Sequence, residues 1–190
     1  MSIETERLIL RRPEMADAPA MLEIRNSPYV LRYNPMKPWE LPRMEKQVEE
    51  EIKAQRTFYI EEKGTSALLG GVWLEPDDLR HGLTSFTLSY YLAESAAGKG
   101  YMTEALSALI PYIFQELGAQ VLAARVFSEN RPSARLLQKL GFTCEGTLRQ
   151  AVATPRGEIF DDMIFSLLRE EAQPQECLNH RVYKQNPINL

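Results

Sequence analysis

Cysteine and histidine are scarce in this chain of 190 residues, with two of each. The cysteines are Cys144 and Cys177, the histidines are His81 and His180, and they form no CxxC or HxxxH spacing. A zinc or other metal site of the usual kind is therefore not expected. Two cysteines also make no disulfide framework, which favours a reducing compartment, the cytoplasm.

Positive charge is not in surplus either. Lysine and arginine total 22 against 26 aspartate and glutamate, which gives a net charge of −4. Domains that bind nucleic acid usually have a basic excess, so we expect no nucleic-acid partner. No apolar run reaches the length of about 18 residues that a membrane span needs. Charges interrupt the apolar stretch of residues 1–13, so a signal peptide is not expected.

Strand and helix patterns fill the rest of the chain. Strands are predicted where β-favouring residues alternate or run between turn signals, and helices where apolar residues recur every three or four positions. The predicted strands are 6–13, 57–63, 67–75, 83–93, 120–128, 142–153 and 158–170, and the predicted helices are 16–26, 41–55, one from Met102 onward, and 131–141. Segment 27–39 holds three prolines and is predicted as a loop. Mixed strands and helices on one sheet indicate the α/β (or α+β) class.

The stretch AAGKGYMTEALSALI, residues 96–110, places two glycines and a lysine directly before a helical apolar pattern. A helix that begins near Gly100 offers unpaired N–H groups and a partial positive charge. Gly98 and Gly100 let the backbone approach an anion closely, Lys99 adds a cation, and Thr103 adds a hydroxyl. The pattern is neither a Walker A loop nor GxGxxG. By itself it leaves a plain turn and an anion site open.

A second segment, FSENRPSARLLQKLGFTCEGTLR at 127–149, carries a more specific signal. Together with the glycine turn and TERLILRRPEMAD at 5–17, it resembles the GNAT superfamily of N-acetyltransferases. The resemblance is greatest to the branch that acetylates the N-terminal amines of ribosomal proteins. It covers roughly residues 3–170.

The resemblance implies a mixed, mostly antiparallel sheet of six or seven strands with about four helices. Two central strands of this sheet splay apart, and acetyl-CoA, the co-substrate, lies between them with its pantetheine arm along one strand. One acetyl-CoA-binding domain is expected over 1–171. The C-terminal extension, 172–190, is either docked or disordered.

The resemblance also assigns site residues by matching positions. The pyrophosphate loop corresponds to Ala97, Gly98, Lys99, Gly100, Tyr101 and Met102. The backbone near Leu92 corresponds to the part of the strand that faces the pantetheine arm. Asn130 corresponds to a cofactor-side asparagine, and a helix cap is its alternative role. Ser133 corresponds to a catalytic serine that assists the leaving thiolate, again with capping as the alternative.

Several positions depart from the family pattern. Ala97 and Met102 replace the residues more usual in the loop, and two positions where relatives carry a glutamate hold Thr87 and Val152. The general base therefore stays open, and a water relay is one possibility. The remaining carboxylate candidates are Glu75, Asp161 and Asp162. A non-catalytic acyl-CoA-binding or regulatory protein on the same fold is the alternative function.

The expected activity is transfer of acetyl from acetyl-CoA to a primary amine by direct attack in a ternary complex. The amine belongs to a protein N-terminus or to a small molecule. The resemblance assigns its recognition to segment 27–39 and the second helix. Glu40, Glu75 and residues 49–51 suit a cationic amine or are simply solvated. The sequence is compatible with a monomer and with a homodimer.

Other reactive side chains are predicted to be structural. Tyr90 and Tyr91 alternate along a strand, so one points to each face of the sheet, and core positions are favoured for both. Cys144 is predicted as a buried strand residue because no histidine accompanies it. His81 is predicted to lie in a solvated loop.

Overall fold

The computed structural model describes residues 2–34 and 36–172. Within these ranges the strands are β1 (Ser2–Glu4), β2 (Leu8–Arg11), β3 (Thr57–Glu62), β4 (Leu68–Pro76), β5 (Ser85–Leu92), β6 (Val121–Phe127), β7 (Thr143–Ala153) and β8 (Ile159–Leu168). The α-helices are α1 (Ala18–Asn26), α2 (Pro28–Leu31), α3 (Leu41–Ala54), α4 (Tyr101–Gln115) and α5 (Arg131–Lys139). The predicted extension, 172–190, lies outside the described residues except for Ala172.

All eight described strands belong to one sheet, in the order β1-β2-β3-β4-β5-β6-β8-β7. Neighbouring strands are antiparallel except β5 and β6, which are parallel. The connection between these two contains α4, as a parallel crossover requires. The predicted class and the mostly antiparallel sheet are confirmed, while the described part of the chain has eight strands and five α-helices rather than six or seven and about four.

Helix α2 is the element that the sequence analysis placed in a loop. Pro28 occupies the first helical position, where its missing N–H costs nothing. The Ser27 hydroxyl accepts a hydrogen bond from the backbone N–H of Val30 at 3.3 Å and caps the helix. The proline therefore starts this short helix instead of preventing it. The extra strand, β1, has only three residues and pairs with β2.

The sheet opens between its two parallel strands. Residues 85–88 of β5 pair in register with residues 121–124 of β6, and the pairing ends there. Strand β5 continues to Leu92 beside β4, and β6 continues to Phe127 beside β8. The two strands thus diverge into the V that the family resemblance implies.

The helices cover both faces of the sheet around two buried clusters. Phe58 and Tyr59 are consecutive in β3, so their side chains point to opposite faces. Phe58 belongs to the larger cluster with the buried residues of α4 and α5, and Tyr59 to the smaller one with those of α1 and α3. The buried stripe of α4 is Met102, Ala105, Leu106, Leu109, Ile110, Ile113 and Phe114. No helix in the described ranges has the length and apolarity of a membrane span.

Candidate active site

The glycine turn leads directly into α4. Gly98 and Gly100 adopt φ angles of +72° and +80°, a region that favours glycine. Gly100 is the N-cap residue, and no side chain caps the helix. Among the described residues, the backbone N–H groups of Tyr101, Met102 and Thr103 find no hydrogen-bond acceptor. The turn therefore presents open donors at the positive end of a helix, as an anion site requires.

The amino-terminal strand region holds this turn in place. Glu104, in the first turn of α4, accepts hydrogen bonds from the Thr5 hydroxyl at 2.6 Å, the Arg7 backbone N–H at 2.9 Å and Arg7 Nε at 2.6 Å. Arg7 Nη1 donates to the Lys99 carbonyl at 3.0 Å. Burial acts to raise the pKa of Glu104, but the hydrogen bonds from Thr5 and Arg7 outweigh it and hold the pKa below its ordinary value. Glu104 is therefore an ionised anchor of the turn.

A first cleft of about 470 Å³ opens beside the turn, on the side of α4 and α5. It brings together nearly all of the predicted site residues: Leu92, Ala97, Gly98, Gly100, Tyr101, Met102, Thr103, Asn130 and Ser133. Lys99 is exposed and does not line the cleft. Strand β5 forms one wall, and residues 89–92 have a sheet partner on one side only. Alternate backbone groups of this segment thus face the opening of the V.

Asn130 and Ser133 turn out to have separate roles at the start of α5. The Asn130 side-chain oxygen accepts a hydrogen bond from the Ser133 backbone N–H at 3.3 Å, so Asn130 is the helix cap. The Ser133 hydroxyl is not the cap. It lies 2.7 Å from the Tyr90 hydroxyl, across the V. The structure thus assigns the capping role to Asn130 and leaves the Ser133 hydroxyl free for another task.

Tyr90 is the site residue that the sequence analysis assigned to the core. It packs against the larger cluster, but its hydroxyl also reaches the cleft and Ser133. Burial raises the pKa of Tyr90 to about 12, although the hydrogen bond with Ser133 acts in the opposite direction. Tyr90 therefore keeps its proton at neutral pH. The two residues are 43 positions apart, so no local pattern links them.

A second cleft of about 590 Å³ lies on the side of α1 and α3. Side chains that line it include Arg25, Trp39, Glu51, Trp73, Glu75 and Arg125. The residues that line both clefts are Tyr33, Asn34, Tyr90, Tyr91, Asn130 and Ser133. The two clefts therefore meet at the Tyr90–Ser133 pair, where the sheet opens.

Glu51 is a buried carboxylate in the second cleft, with 6% of its surface exposed. It accepts hydrogen bonds from the Tyr59 hydroxyl at 2.8 Å, Trp73 Nε1 at 2.8 Å and Gln47 Nε2 at 3.1 Å. Burial raises its pKa above the ordinary value, although these hydrogen bonds act to lower it. Residues 49–51 were predicted to be solvated or to contact a cationic amine, and the burial of Glu51 contradicts the first of these predictions.

The helical spacing of α3 contained the signal for Glu51. Met44 and Val48 are buried, and Glu51 continues the same stripe at i, i+4, i+7. Of the other carboxylates considered, Glu75 lines the second cleft and is exposed.

The two strand aspartates are engaged elsewhere in the sheet. Asp161 accepts a hydrogen bond from the Gln150 backbone N–H at 2.7 Å, and Asp162 forms an ion pair with Arg125 at 2.7 Å. Neither Thr87 nor Val152 lines the first or the second cleft. The structure therefore leaves Glu51 as the buried carboxylate on the second cleft.

Two further side chains lie on the surface. His81 is exposed, as predicted. Cys144 is also exposed, so the prediction that it is buried was wrong. The first eight residues of β7, which is an edge strand of the sheet, are all exposed. The described residues contain no group of three or more histidine, cysteine or acidic side chains that could hold a metal ion.

Comparison with known proteins agrees with this architecture. A family model described as an acetyltransferase (GNAT) domain matches residues 7–143. An uncharacterised N-acetyltransferase, p20, from Bacillus licheniformis is 32% identical over 177 residues, which cover 90% of this chain and 97% of p20.

Two solved structures share the fold. The ribosomal-protein alanine acetyltransferase from Vibrio fischeri has a TM-score of 0.77 at 23% identity, over 92% of this chain and all of that one. Spermidine N-acetyltransferase from Vibrio cholerae, in complex with CoA and spermine, has a TM-score of 0.78 at 22% identity, over 88% of this chain and 99% of that one. The predicted resemblance is confirmed, and the ribosomal-protein branch is among the similar folds. The chain belongs to the GNAT family of acetyltransferases.

Proposed function

We propose that this chain transfers the acetyl group of acetyl-CoA to a primary amine while both substrates are bound. The observation that carries the proposal is the meeting of two clefts at the Tyr90–Ser133 pair. One cleft is lined by the open helix N-terminus and the other by a buried carboxylate. Two substrates that enter from opposite sides of the V would bring their reacting atoms together at this junction.

The first cleft suits the donor. The pyrophosphate of acetyl-CoA is assigned to the N–H groups of the turn 97–103, which the Glu104–Arg7 contacts hold in place. The pantetheine arm is assigned to the unpaired edge of β5 near Leu92. Asn130 fixes the start of α5 on the opposite wall. Lys99, which is exposed at the rim, would contribute its charge rather than a contact within the cleft.

The second cleft suits the amine. In the proposed reaction the amine nitrogen attacks the thioester carbonyl, the C–N bond forms and the C–S bond breaks. The leaving thiolate takes a proton from the Tyr90–Ser133 pair, since Tyr90 is protonated at neutral pH. We assign Glu51 to receive the proton of the amine, because its raised pKa makes it a stronger base than an ordinary carboxylate.

Two measurements test the proposal. Acetyl-CoA should raise the melting temperature of the purified chain increasingly with concentration, and primary amines should then release free CoA thiol. Absence of a thermal shift with millimolar acetyl-CoA and CoA would contradict the donor assignment. A shift without thiol release from any amine, peptide N-termini and polyamines included, would instead favour the non-catalytic acyl-CoA-binding protein.

A further inference from the structure

Arg25 is a buried cation on the wall of the second cleft. It lies in the last turn of α1, and only 2% of its surface is exposed. Its guanidinium donates to the Lys37 carbonyl at 3.2 Å, to Asn26 Oδ1 at 3.3 Å and to Met36 Sδ at 3.0 Å. Within the described ranges, no carboxylate pairs with it. A buried charge without a counter-ion is costly, so this guanidinium needs an explanation.

A second arginine adds to the positive charge at this end of the cleft. The Trp39 ring is contacted by two guanidinium groups, Arg25 at 3.6 Å and Arg43 at 4.3 Å from its centroid. Burial lowers the pKa of Arg25 below its ordinary value, and the charge of Arg43 acts in the same direction. Two guanidiniums on one ring, with no acidic partner among the described side chains, form a place where an anion would be stabilised.

The same cleft keeps a negative charge apart from this positive one. Glu51 and Arg25 both line it, and neither forms an ion pair with the other. Tyr91, on the cleft wall, interacts electrostatically with both. The cleft wall also carries an aromatic pair: the rings of Trp73 and Tyr91 stack with centroids 4.5 Å apart. A molecule that fills this cleft meets a cation, an anion and an apolar face.

We propose that the acceptor is a free amino acid with an apolar side chain, whose carboxylate binds Arg25 and whose amine faces Glu51. A cleft of about 590 Å³ is of the size that holds a small molecule. A polyamine would place one of its ammonium groups against the Arg25 guanidinium, and no anion among the described side chains lies there to offset the repulsion. This inference rests on the proposed acetyl transfer and names the class of acceptor for that site.

Matched acceptors isolate the contribution of the acceptor's carboxylate from that of the rest of the acceptor molecule. Thiol release is measured with saturating acetyl-CoA for tryptophan, tryptophanamide and tryptamine, for phenylalanine, phenylalaninamide and phenethylamine, and for spermidine. At least one acid should exceed its own amide and decarboxylated amine in kcat/KM by about tenfold or more, which corresponds to one charge-assisted hydrogen bond. The amide has the more easily deprotonated amine, so amine basicity does not explain such a preference.

Variants of Arg25 test whether this side chain creates the preference. In Arg25→Met the kcat/KM for the acid should no longer exceed that for the decarboxylated amine. Arg25→Lys should keep part of this preference. The matched control is Arg32→Met, because Arg32 also contacts an aromatic ring, that of Tyr33 at 5.2 Å, but is exposed and lines neither cleft. The ratio is taken within one protein sample, so partial unfolding of a variant cancels from it.

The outcomes are distinct. The inference is overturned if amides or decarboxylated amines equal the acids in every set, if no acid is acetylated, or if Arg25→Met keeps the preference of the wild-type chain. Acetyl-CoA binding and thiol release with tryptamine or spermidine would survive each of these results. Absence of acetyl-CoA binding, or of thiol release from every acceptor tested including the acids, would instead contradict the proposed acetyl transfer itself.

Discussion

The two clefts are built from different materials. The first presents backbone groups of one short stretch, 97–103, together with the unpaired edge of β5. The second presents side chains that come from α1, α3 and three neighbouring strands. A backbone-built site binds a group that never changes, such as a pyrophosphate. A side-chain-built site changes its specificity with single substitutions, and this difference suits a common donor and a particular acceptor.

Adding a negative charge at Gly98 should weaken binding of acetyl-CoA in the first cleft and leave the second cleft unchanged. Nothing lies within 4 Å of a Cβ at this position, so a glutamate side chain has room there, and in Gly98→Glu it would add a negative charge to the proposed pyrophosphate site. Like charges across an interface cost several kcal/mol. We therefore expect the Kd of acetyl-CoA to rise by about 100-fold or more, as measured by calorimetry.

The control for this variant is Gly82→Glu. Gly82 has φ of +73°, against +72° for Gly98, and an added Cβ there is equally free of neighbours. The backbone strain of the two variants is therefore matched, at about 1–2 kcal/mol. Equal weakening of acetyl-CoA binding in both would show that strain, rather than charge at the turn, is responsible.

Substitutions at the junction should slow acetyl transfer without weakening the binding of acetyl-CoA. Tyr90→Phe and Ser133→Ala each remove one hydroxyl of the 2.7 Å pair. We expect kcat to fall about 100-fold in each, with the Kd of acetyl-CoA unchanged. Because the two hydroxyls act as a unit, the double variant should lose little more than either single one. Additive losses would contradict a shared role.

The pH dependence of kcat checks the same pair. The pKa of Tyr90 is about 12, raised from an ordinary value of 10.0, so its hydroxyl stays protonated as the pH rises through 10. The wild-type kcat should therefore show no decline from loss of the acid between neutral pH and pH of about 10. A descending limb in that interval would exclude Tyr90 as the proton donor.

Glu51→Gln should have the smallest effect on activity and tests the role of the carboxylate in the second cleft. An amide in the same place can accept from Trp73 and Gln47 and donate to the Tyr59 hydroxyl, so the buried contacts persist. We expect kcat/KM for the acceptor to fall roughly tenfold near neutral pH and to recover at alkaline pH, where the amine is already deprotonated. A loss that is independent of pH would argue against Glu51 as the base.

The stability of the same variant has a defined sign. Burial raises the pKa of Glu51 above 4.5 in the folded chain, so the unfolded chain loses the Glu51 proton first as the pH rises. The free energy of unfolding therefore falls between the pKa of Glu51 in the unfolded chain and its pKa in the folded chain. Glutamine does not ionise. Above pH of about 5 the melting temperature of Glu51→Gln should therefore equal or exceed that of the wild-type chain. A lower value would show that the carboxylate is needed for packing.

Sequence patterns could predict the first cleft because its parts are local. Gly100 immediately precedes the helix whose apolar stripe the spacing predicts. Asn130 also immediately precedes a predicted helix and lies three positions before Ser133. Sequence spacing alone therefore locates both residues at helix N-termini. Strands β3 and β4 were predicted for the same reason. The start of α2 at Pro28 was missed because a proline both breaks helices and begins them.

The second cleft could not be predicted because it depends on tertiary contacts. The stacking of Arg25 on Trp39 joins α1 to the segment before α3, and the Trp73–Glu51 bond joins β4 to α3. Periodicity showed only that α3 has a buried stripe, without showing that a carboxylate on it would face a cleft. Burial of Glu51 was accessible from the spacing of Met44 and Val48, whereas its partners were not.

The contacts of Arg7 and Glu104 have a consequence for the evolution of this chain. Residues 5–7 hold the glycine turn from almost 100 positions away without lining the first cleft. A substitution at Thr5 or Arg7 can thus tune donor affinity while every residue of the turn itself stays the same. Selection can adjust the turn through the residues that support it, and the glycines, which are favoured at positive φ, need not change.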